Sequence, residues 1–333
     1  MSAFEPQVVY SGYPPVRYPV VRSQKRLTTI SMRPGYGLLL LLSATAAPCL
    51  AQQQTDTVRS WTALERALGR SGAVQLGGVV RFSFPRSDLT VTLDGVALKP
   101  ALALGGWLAF KPLPANSALA MGDLVLTENE VAPVMRALQA GGVEQTALHN
   151  HLLGESPHVM YMHVMARGNA ASIASTIRSA LAQSGTPERA PSPATNPVTV
   201  DLDTAAIAAA LHVSGRLNGV VYQVSVPRRE RITFMGEEIP PSMGVATAIN
   251  FQPTGDGKAA ITGDFVLRDA EVSRVMRVLR SNGIAITALH SHMVGEQPHL
   301  YFMHFWANDD AVRLARGLRA ALDLVGVRAP AVR

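Results

Sequence analysis

One segment of this chain occurs twice. Residues 122–181 and 263–322 align without a gap at an offset of 141 positions, and 28 of the 60 aligned positions are identical. Upstream, Gly78 with Gly219 and Phe110 with Phe251 keep the same offset. The chain of 333 residues therefore contains two copies of one unit, and each copy has the size of an ordinary domain.

A proline-rich stretch separates the two copies. Residues 184–197, SGTPERAPSPATNP, contain four prolines and no apolar periodicity, which is typical of a linker. This linker and the two copies predict a first lobe over 52–183, a linker over 184–197 and a second lobe over 198–333. Residues 1–51 precede the first copy, and we predict that they are a leader with a signal peptide, for the reasons given below.

The periodicity of each copy predicts strands followed by alternating helices and strands. Runs such as VVRFSF, LTVTL and GWLAF, and VVYQVSV, RITFM and ATAINF in the second copy, alternate in the manner of antiparallel strands. Apolar residues at helical spacing predict helices over Glu128–Ala140 and Asp269–Ser281, then near Ala170–Gln183 and Asp310–Val325. A pair of β runs lies between the helices of each copy. The order ββββαββα predicts the α+β class, with two tandem homologous lobes, each a mainly antiparallel sheet with two helices packed on it.

Histidines are concentrated in those paired β runs, which hold eight of the nine in the chain. Both copies carry the pattern H-x-H-x3-E-x2-H-x4-H. Side chains two positions apart on a strand project from one face about 7 Å apart, so both imidazoles of an H-x-H step can reach one cation. The residues of the pattern are His149, His151, Glu155, His158 and His163, then His290, His292, Glu296, His299 and His304.

The register of the paired strands decides which histidine of the returning strand joins the H-x-H step. If Leu152 faces His158, then Tyr161 and His163 share the face of His149 and His151, and polar and apolar residues separate cleanly. A register shifted by one would exchange the roles of His158 and His163. The first register makes His158, His299 and Tyr161 neighbours of the site or alternative ligands. It predicts as metal ligands His149, His151, Glu155 and His163 in one lobe, and His290, His292, Glu296 and His304 in the other.

Three neutral imidazoles with one carboxylate suit Zn, Mn, Fe, Ni or Cu. Two classes of function use such a site. In the first, the protein binds or sequesters a transition metal. In the second, it is a metal-dependent enzyme, either a hydrolase in which Glu155 or Glu296 is the base for a metal-bound water, or an enzyme of oxygen or decarboxylation chemistry. A glutamate that ligates the metal is less available as a base.

The start of the chain predicts export. Arg33, the apolar run from Leu38 to Leu42 and the small residues that end at Ala51 form a secretory signal, too short to span a bilayer comfortably. Cleavage near Ala51 would leave a periplasmic or secreted protein. Translation of the precursor could begin at either Met1 or Met32. Cys49, the only cysteine, lies inside this signal, and its acylation would instead give a lipid-anchored protein.

The charge distribution argues against nucleic acid as a partner. The whole chain carries a formal net charge of +6, but five of its basic residues and one acidic residue precede position 52. The remainder holds 25 basic and 23 acidic residues, so it lacks the basic surface that nucleic acid requires. No segment after position 51 is apolar over the length of a transmembrane helix, so we predict no such segment in the mature chain.

The segments TALHNHLLGESPHVMYMHVMA and TALHSHMVGEQPHLYFMHFWA resemble the LppY/LpqO family of exported bacterial proteins. The resemblance covers both copies, and it implies export and, for some members, lipid anchoring, without an established activity. The first copy departs from the family pattern at Val164 and Met165, where the second has Phe305 and Trp306. The H-x-H-x3-E spacing is also similar to the first motif of cupins, whose three histidines and one glutamate hold Mn or Fe. Cupins place the last ligand several strands later, whereas here the next histidines follow within eight residues.

Overall fold

The computed structural model describes residues 61–189 and 199–328. The predicted leader, with Cys49 and the cleavage site near Ala51, lies outside the described residues, as does most of the predicted linker. Within the described ranges, no helix is long and apolar enough to cross a membrane.

The first lobe is built on a six-stranded antiparallel sheet with the strand order β1-β2-β5-β6-β8-β7. A two-stranded hairpin, β3–β4, stands apart from it, so the predicted strand LTVTL is reduced to two residues of this hairpin. The strands are β1 (Ala73–Val74), β2 (Val80–Pro85), β3 (Thr92–Leu93), β4 (Val96–Ala97), β5 (Gly105–Leu113), β6 (Ser117–Thr127), β7 (Glu144–His149) and β8 (Val159–Asn169).

Three helices accompany this sheet: α1 (61–68), α2 (Glu128–Ala140) and α3 (Ala170–Leu181). The predicted bounds of α2 are confirmed, and its start is fixed by Glu130, whose carboxylate accepts the amide of Thr127 at 2.8 Å. At the start of α3, the side chain of Asn169 accepts the amide of Ser172. The sequence analysis did not predict α1.

The second lobe repeats this arrangement with the strand order β15-β16-β14-β13-β10-β9 and a separate hairpin, β11–β12. The predicted α+β class and the two similar lobes are confirmed. The strands are β9 (Arg216–Asn218), β10 (Val221–Pro227), β11 (Thr233–Phe234), β12 (Glu237–Glu238), β13 (Ala246–Gly255), β14 (Lys258–Leu267), β15 (Ala285–His290) and β16 (Tyr301–Asp310), and the helices are α4 (Thr204–Leu211), α5 (Asp269–Ser281) and α6 (Ala311–Leu322).

Each sheet buries both of its faces. One face packs against the helices of its own lobe. In the first lobe, Phe82 of the sheet and Leu138 of a helix belong to one buried cluster, and in the second lobe Phe251 and Leu279 belong to another. The other face contributes to two buried clusters that contain residues of both lobes. The lobes therefore meet through the sheet faces that their helices leave free, and Trp306 of the second lobe donates from Nε1 to Asp94 of the first at 2.7 Å.

Candidate metal centre

The pairing of the histidine-bearing strands follows the first of the two registers considered. His149 lies opposite Tyr161 in the β7–β8 pair, and His290 lies opposite Phe302 in the β15–β16 pair. A register shift between Gln145 and Ala147, and its equivalent in the second lobe, interrupts the ladder further along. The predicted register is thus confirmed, and it turns the returning-strand histidines His163 and His304 inward.

An aspartate lies beside each returning-strand histidine. Asp123 on β6 is paired with His163 on β8, and Asp264 on β14 is paired with His304 on β16. The Asp123 carboxylate is 3.5 Å from Nε2 of His151 and 4.0 Å from Nε2 of His163. In the second lobe, the Asp264 carboxylate is 3.3 Å from Nε2 of His292 and 3.9 Å from Nε2 of His304.

Histidines of the two lobes form a single cluster. The ring centroids of His149 and His290 are 3.5 Å apart, whereas those of His149 and His151, in the same lobe, are 5.1 Å apart. Each lobe contributes one ligand group of its own residues, and because the sheets pack face to face, the two sets also lie against each other. We call the combined set the interlobe cluster; it consists of Asp123, His149, His151, His163, Asp264, His290, His292 and His304.

The surroundings of the cluster obey the same internal symmetry. The hydroxyl of Thr146 donates to the carbonyl of His292 at 2.6 Å, and the hydroxyl of Thr287 donates to the carbonyl of His151 at 2.5 Å. Each lobe thus fixes the backbone that carries an H-x-H histidine of the other. The histidine positions depend on the contact between the lobes as well as on the fold of each lobe.

Nine polar side-chain atoms of the cluster are buried and have no hydrogen-bond partner. Burying such atoms without a partner costs about 1–3 kcal/mol each, so their accumulation at one place requires a reason. Nitrogen and carboxylate oxygen are the donors that borderline transition metals prefer, and a bound cation would satisfy them. The unpartnered atoms are Nε2 of His149, His151, His163, His290, His292 and His304, Nδ1 of His290, and Oδ1 of Asp123 and Asp264.

Burial also sets the protonation of these groups. Desolvation lowers the pKa of His149 to about 4, and desolvation together with neighbouring imidazoles lowers the pKa of His151 well below its usual value. Desolvation raises the pKa of Asp264 to about 6, and desolvation together with the like charge of Asp264 raises the pKa of Asp123 well above its usual value. At neutral pH the imidazoles are therefore neutral, which is the form that binds metal.

Within the described residues, the ligand atoms fall into four overlapping groups in which all atoms lie within 4.8 Å of one another. Two of the groups share no residue, so the cluster has ligands for two ions. These buried groups could hold a metal ion. The four groups are His149, His151 and His163; Asp264, His292 and His304; His149, His290 and His304; and His163, His290 and His292.

The two predicted glutamate ligands lie outside these groups. Oε1 of Glu155 is 2.9 Å from Nδ1 of His158, and Oε1 of Glu296 is 2.9 Å from Nδ1 of His299 and also accepts the amide of Leu300 at 2.8 Å. Neither Glu155 nor Glu296 belongs to any of the four ligand groups, although Oε2 of each is buried without a hydrogen-bond partner. His158 and His299 also belong to none of the groups, and their side chains are partly exposed.

Tyr161 occupies the position predicted for a neighbour of the site. Its ring stacks on His151 with a centroid distance of 3.3 Å, and its hydroxyl donates to the carbonyl of Ala103 at 2.8 Å. Phe302 stacks on His292 in the same way, also at 3.3 Å. These aromatic rings pack against one face of the His151 and His292 imidazoles and restrict their orientation.

Sequence reasoning missed Asp123 and Asp264, although a signal for them was present. Both lie in the aligned copies at the offset of 141, and each is an acidic residue inside an apolar strand. Asp is rarely buried without a partner, so an aspartate repeated at the centre of a buried strand indicates a site.

The comparison with known families agrees with the duplication. The family described as Domain of Unknown Function (DUF1259) matches residues 62–183 and again residues 205–324. The chain belongs to this family. Every residue of the interlobe cluster lies within one of the two DUF1259 copies, so the candidate metal centre is built from both copies of the domain.

Other comparisons add little. No curated protein matches this chain. Among solved structures, a trimeric bacterial microcompartment shell protein, PduB, is similar over 75% of this chain and 89% of its own, with 11% sequence identity and a TM-score of 0.19. A likeness at this level carries no argument about fold or function.

Proposed function

We propose that this DUF1259 protein binds transition-metal ions, up to two per chain, in the interlobe cluster, and that its role is to bind or sequester the metal. The observation that carries the proposal is the set of unpartnered imidazole and carboxylate atoms in one buried place. Six imidazoles and two carboxylates from two symmetry-related lobes have no ordinary structural use there. Zn, Mn, Fe, Ni and Cu all accept this donor set.

The geometry favours a binding role over a metal-dependent reaction. The rings of His151 and His304, and those of His163 and His292, are stacked at 3.8 Å across the interface, which leaves little room for a substrate. A base beside a metal-bound water would be needed for hydrolysis. The predicted candidates, Glu155 and Glu296, each lie with Oε1 2.9 Å from a ring nitrogen of His158 or His299.

Metal content measures this proposal directly. Protein purified without chelator or affinity tag should contain one to two ions of Zn, Mn, Fe, Ni or Cu per chain by elemental analysis. The double variant His149→Ala/His290→Ala breaks three of the four ligand groups and leaves only that of Asp264, His292 and His304. It should retain at most one ion. Adding His304→Ala breaks every group and should bring the metal content to background.

Two histidines supply the controls for that experiment. His212 ends α4 in the left-handed conformation, away from the cluster strands, and Asn tolerates that conformation well. His212→Asn should therefore keep full metal content, and so should His158→Ala, which removes a histidine outside the four ligand groups. Metal-free wild-type protein after incubation with these ions at neutral pH would overturn the proposal, as would triple-variant protein that still binds them.

We further propose that the protein is exported, that it belongs with the LppY/LpqO proteins, and that residues 184–197 link the lobes. The basic start at Arg33 and the apolar run from Leu38 to Leu42 support export. Mass spectrometry of the periplasmic fraction should find a chain that begins near Gln52. An acylated Cys49 would move it to the lipoproteins, and an intact leader on the mature protein would contradict export.

A further inference from the structure

Three side chains of the second lobe, none of them in the interlobe cluster, lie in the order hydroxyl, imidazole, carboxylate. Oγ of Ser291 is 3.5 Å from Nε2 of His299, and Nδ1 of His299 is 2.9 Å from Oε1 of Glu296. The Glu296 side chain is fully buried, whereas that of His299 is 50% exposed. A buried carboxylate thus orients an imidazole that a substrate can reach.

The short contact between His299 and Glu296 indicates where the proton of this imidazole lies. A carboxylate oxygen accepts hydrogen bonds, so the 2.9 Å contact favours the tautomer of His299 with its proton on Nδ1, toward Glu296. The lone pair of Nε2 then faces the hydroxyl of Ser291. This hydroxyl also lies 3.3 Å from the carbonyl of Leu300, and its distance to Nε2 is longer than that of a formed hydrogen bond. Such contacts commonly tighten only when substrate binds.

We propose that Ser291, His299 and Glu296 hydrolyse carboxylic esters without the metal ions, although Ser291 lies between His290 and His292 in the chain. Oγ of Ser291 attacks the ester carbonyl while its proton passes to Nε2 of His299. The alcohol leaves with that proton, and an acyl group remains on Ser291. Water, deprotonated by the same nitrogen, then attacks the acyl-enzyme, releases the carboxylic acid and restores the serine hydroxyl.

The first lobe provides an internal comparison. It has the same carboxylate–imidazole pair, with Oε1 of Glu155 2.9 Å from Nδ1 of His158. At the position of Ser291, however, it has Asn150, whose amide donates to the carbonyls of Leu152 and Thr287. The first lobe therefore has the base and its positioning carboxylate but lacks the nucleophile.

The surface beside Ser291 indicates the class of ester. Leu289 and Val294, two and three residues away along the chain, are exposed apolar side chains, and Val294 is 74% exposed. Apolar groups left in solvent next to a reactive group favour an apolar acyl chain over a charged one. We expect esters of short aliphatic acids to be preferred over esters of charged acids.

Labelling with a fluorophosphonate, followed by peptide mass spectrometry, tests the triad on the full chain. One label per chain is expected, on Ser291, together with hydrolysis of p-nitrophenyl butyrate. Ser291→Ala should remove both, and His299→Ala should slow labelling by about 100-fold or more, the usual contribution of a general base. His158→Ala, in the first lobe, should change neither.

Glu296 is a positioning residue, and its variant needs a separate readout. Glu296→Gln can keep the hydrogen bond to the amide of Leu300 but should lower kcat for p-nitrophenyl butyrate with little change in KM, because it no longer fixes the tautomer of His299. Circular dichroism and metal content should match those of wild type in every variant. A purely structural role for Glu296 would leave kcat intact.

The assays run with and without chelator separate this proposal from metal binding. Labelling of Ser291 that persists in chelator supports the triad whether or not the cluster holds metal. Absence of labelling in folded wild-type protein, labelling at another residue, or labelling at an unchanged rate in His299→Ala would overturn the triad and leave the metal proposal standing. Esterase activity that needs metal and survives Ser291→Ala would also overturn it.

Discussion

Metal-free protein should lose stability steeply as the pH falls from about 7 to 5. The unfolded chain binds a proton at each histidine near pH 6.5, whereas burial holds the pKa of His149 at about 4 and lowers those of His151, His163, His290, His292 and His304 as well. Below about pH 6.5 the unfolded state therefore binds more protons, and stability falls with pH. For a group such as His149 the loss is about 2 kcal/mol at pH 5.

The two aspartates act in the opposite direction. Their raised pKa values mean that the folded state binds their protons first, so each adds stability as the pH falls; for Asp264 this gain develops between about pH 6, its pKa in the folded state, and pH 4. Six histidines outnumber two aspartates, and the net slope should follow the histidines. Thermal unfolding in chelator between pH 7.5 and 5 measures it. His149→Ala/His290→Ala should show a shallower slope, and a midpoint that stays level or rises toward pH 5 in wild type would contradict the prediction.

Replacing Arg228 by Met should cost the second lobe about 3–5 kcal/mol, the usual loss when one member of a buried ion pair is removed. Its side chain is 1% exposed and bonds to both oxygens of Glu271, to Glu230 and to the carbonyl of Val266. Glu271 also accepts the amides of Arg268 and Gly326. The arginine therefore ties the end of β10 to β14, to the start of α5 and to the chain beyond α6.

The first lobe contains the matched arrangement, with Arg86 bonded to Asp88, Glu130 and the carbonyl of Val125. Arg86→Met should destabilise its lobe by a similar amount. Arg228→Lys keeps the charge but loses the planar fork, so its loss should be smaller than that of Arg228→Met. Urea unfolding monitored by circular dichroism provides the comparison. A decrease of less than about 1 kcal/mol in the free energy of unfolding of both methionine variants would show that these ion pairs contribute little to the stability of each lobe.

Local patterns in the sequence were sufficient for much of the fold. The bounds of α2 and α5 follow from apolar residues at helical spacing, and the structure has helices over those ranges. The register of β7 on β8 followed from separating polar and apolar side chains, because a slip of one residue would have buried the wrong face. The helices 61–68 and Thr204–Leu211 were missed, and in the second of them the apolar residues are not confined to one face.

The sequence by itself determined the duplication, the secondary structure around the histidines and which histidines share a strand face. Only the tertiary structure decided that the two sets lie in one cluster and that Asp123 and Asp264 lie beside their histidines. The reason is physical. The periodicity of a strand indicates which of its faces are buried, and both faces of β6 are buried. The periodicity does not indicate which element covers each face. Here the helices cover one face and the other lobe covers the second, and that long-range choice brings His149 against His290.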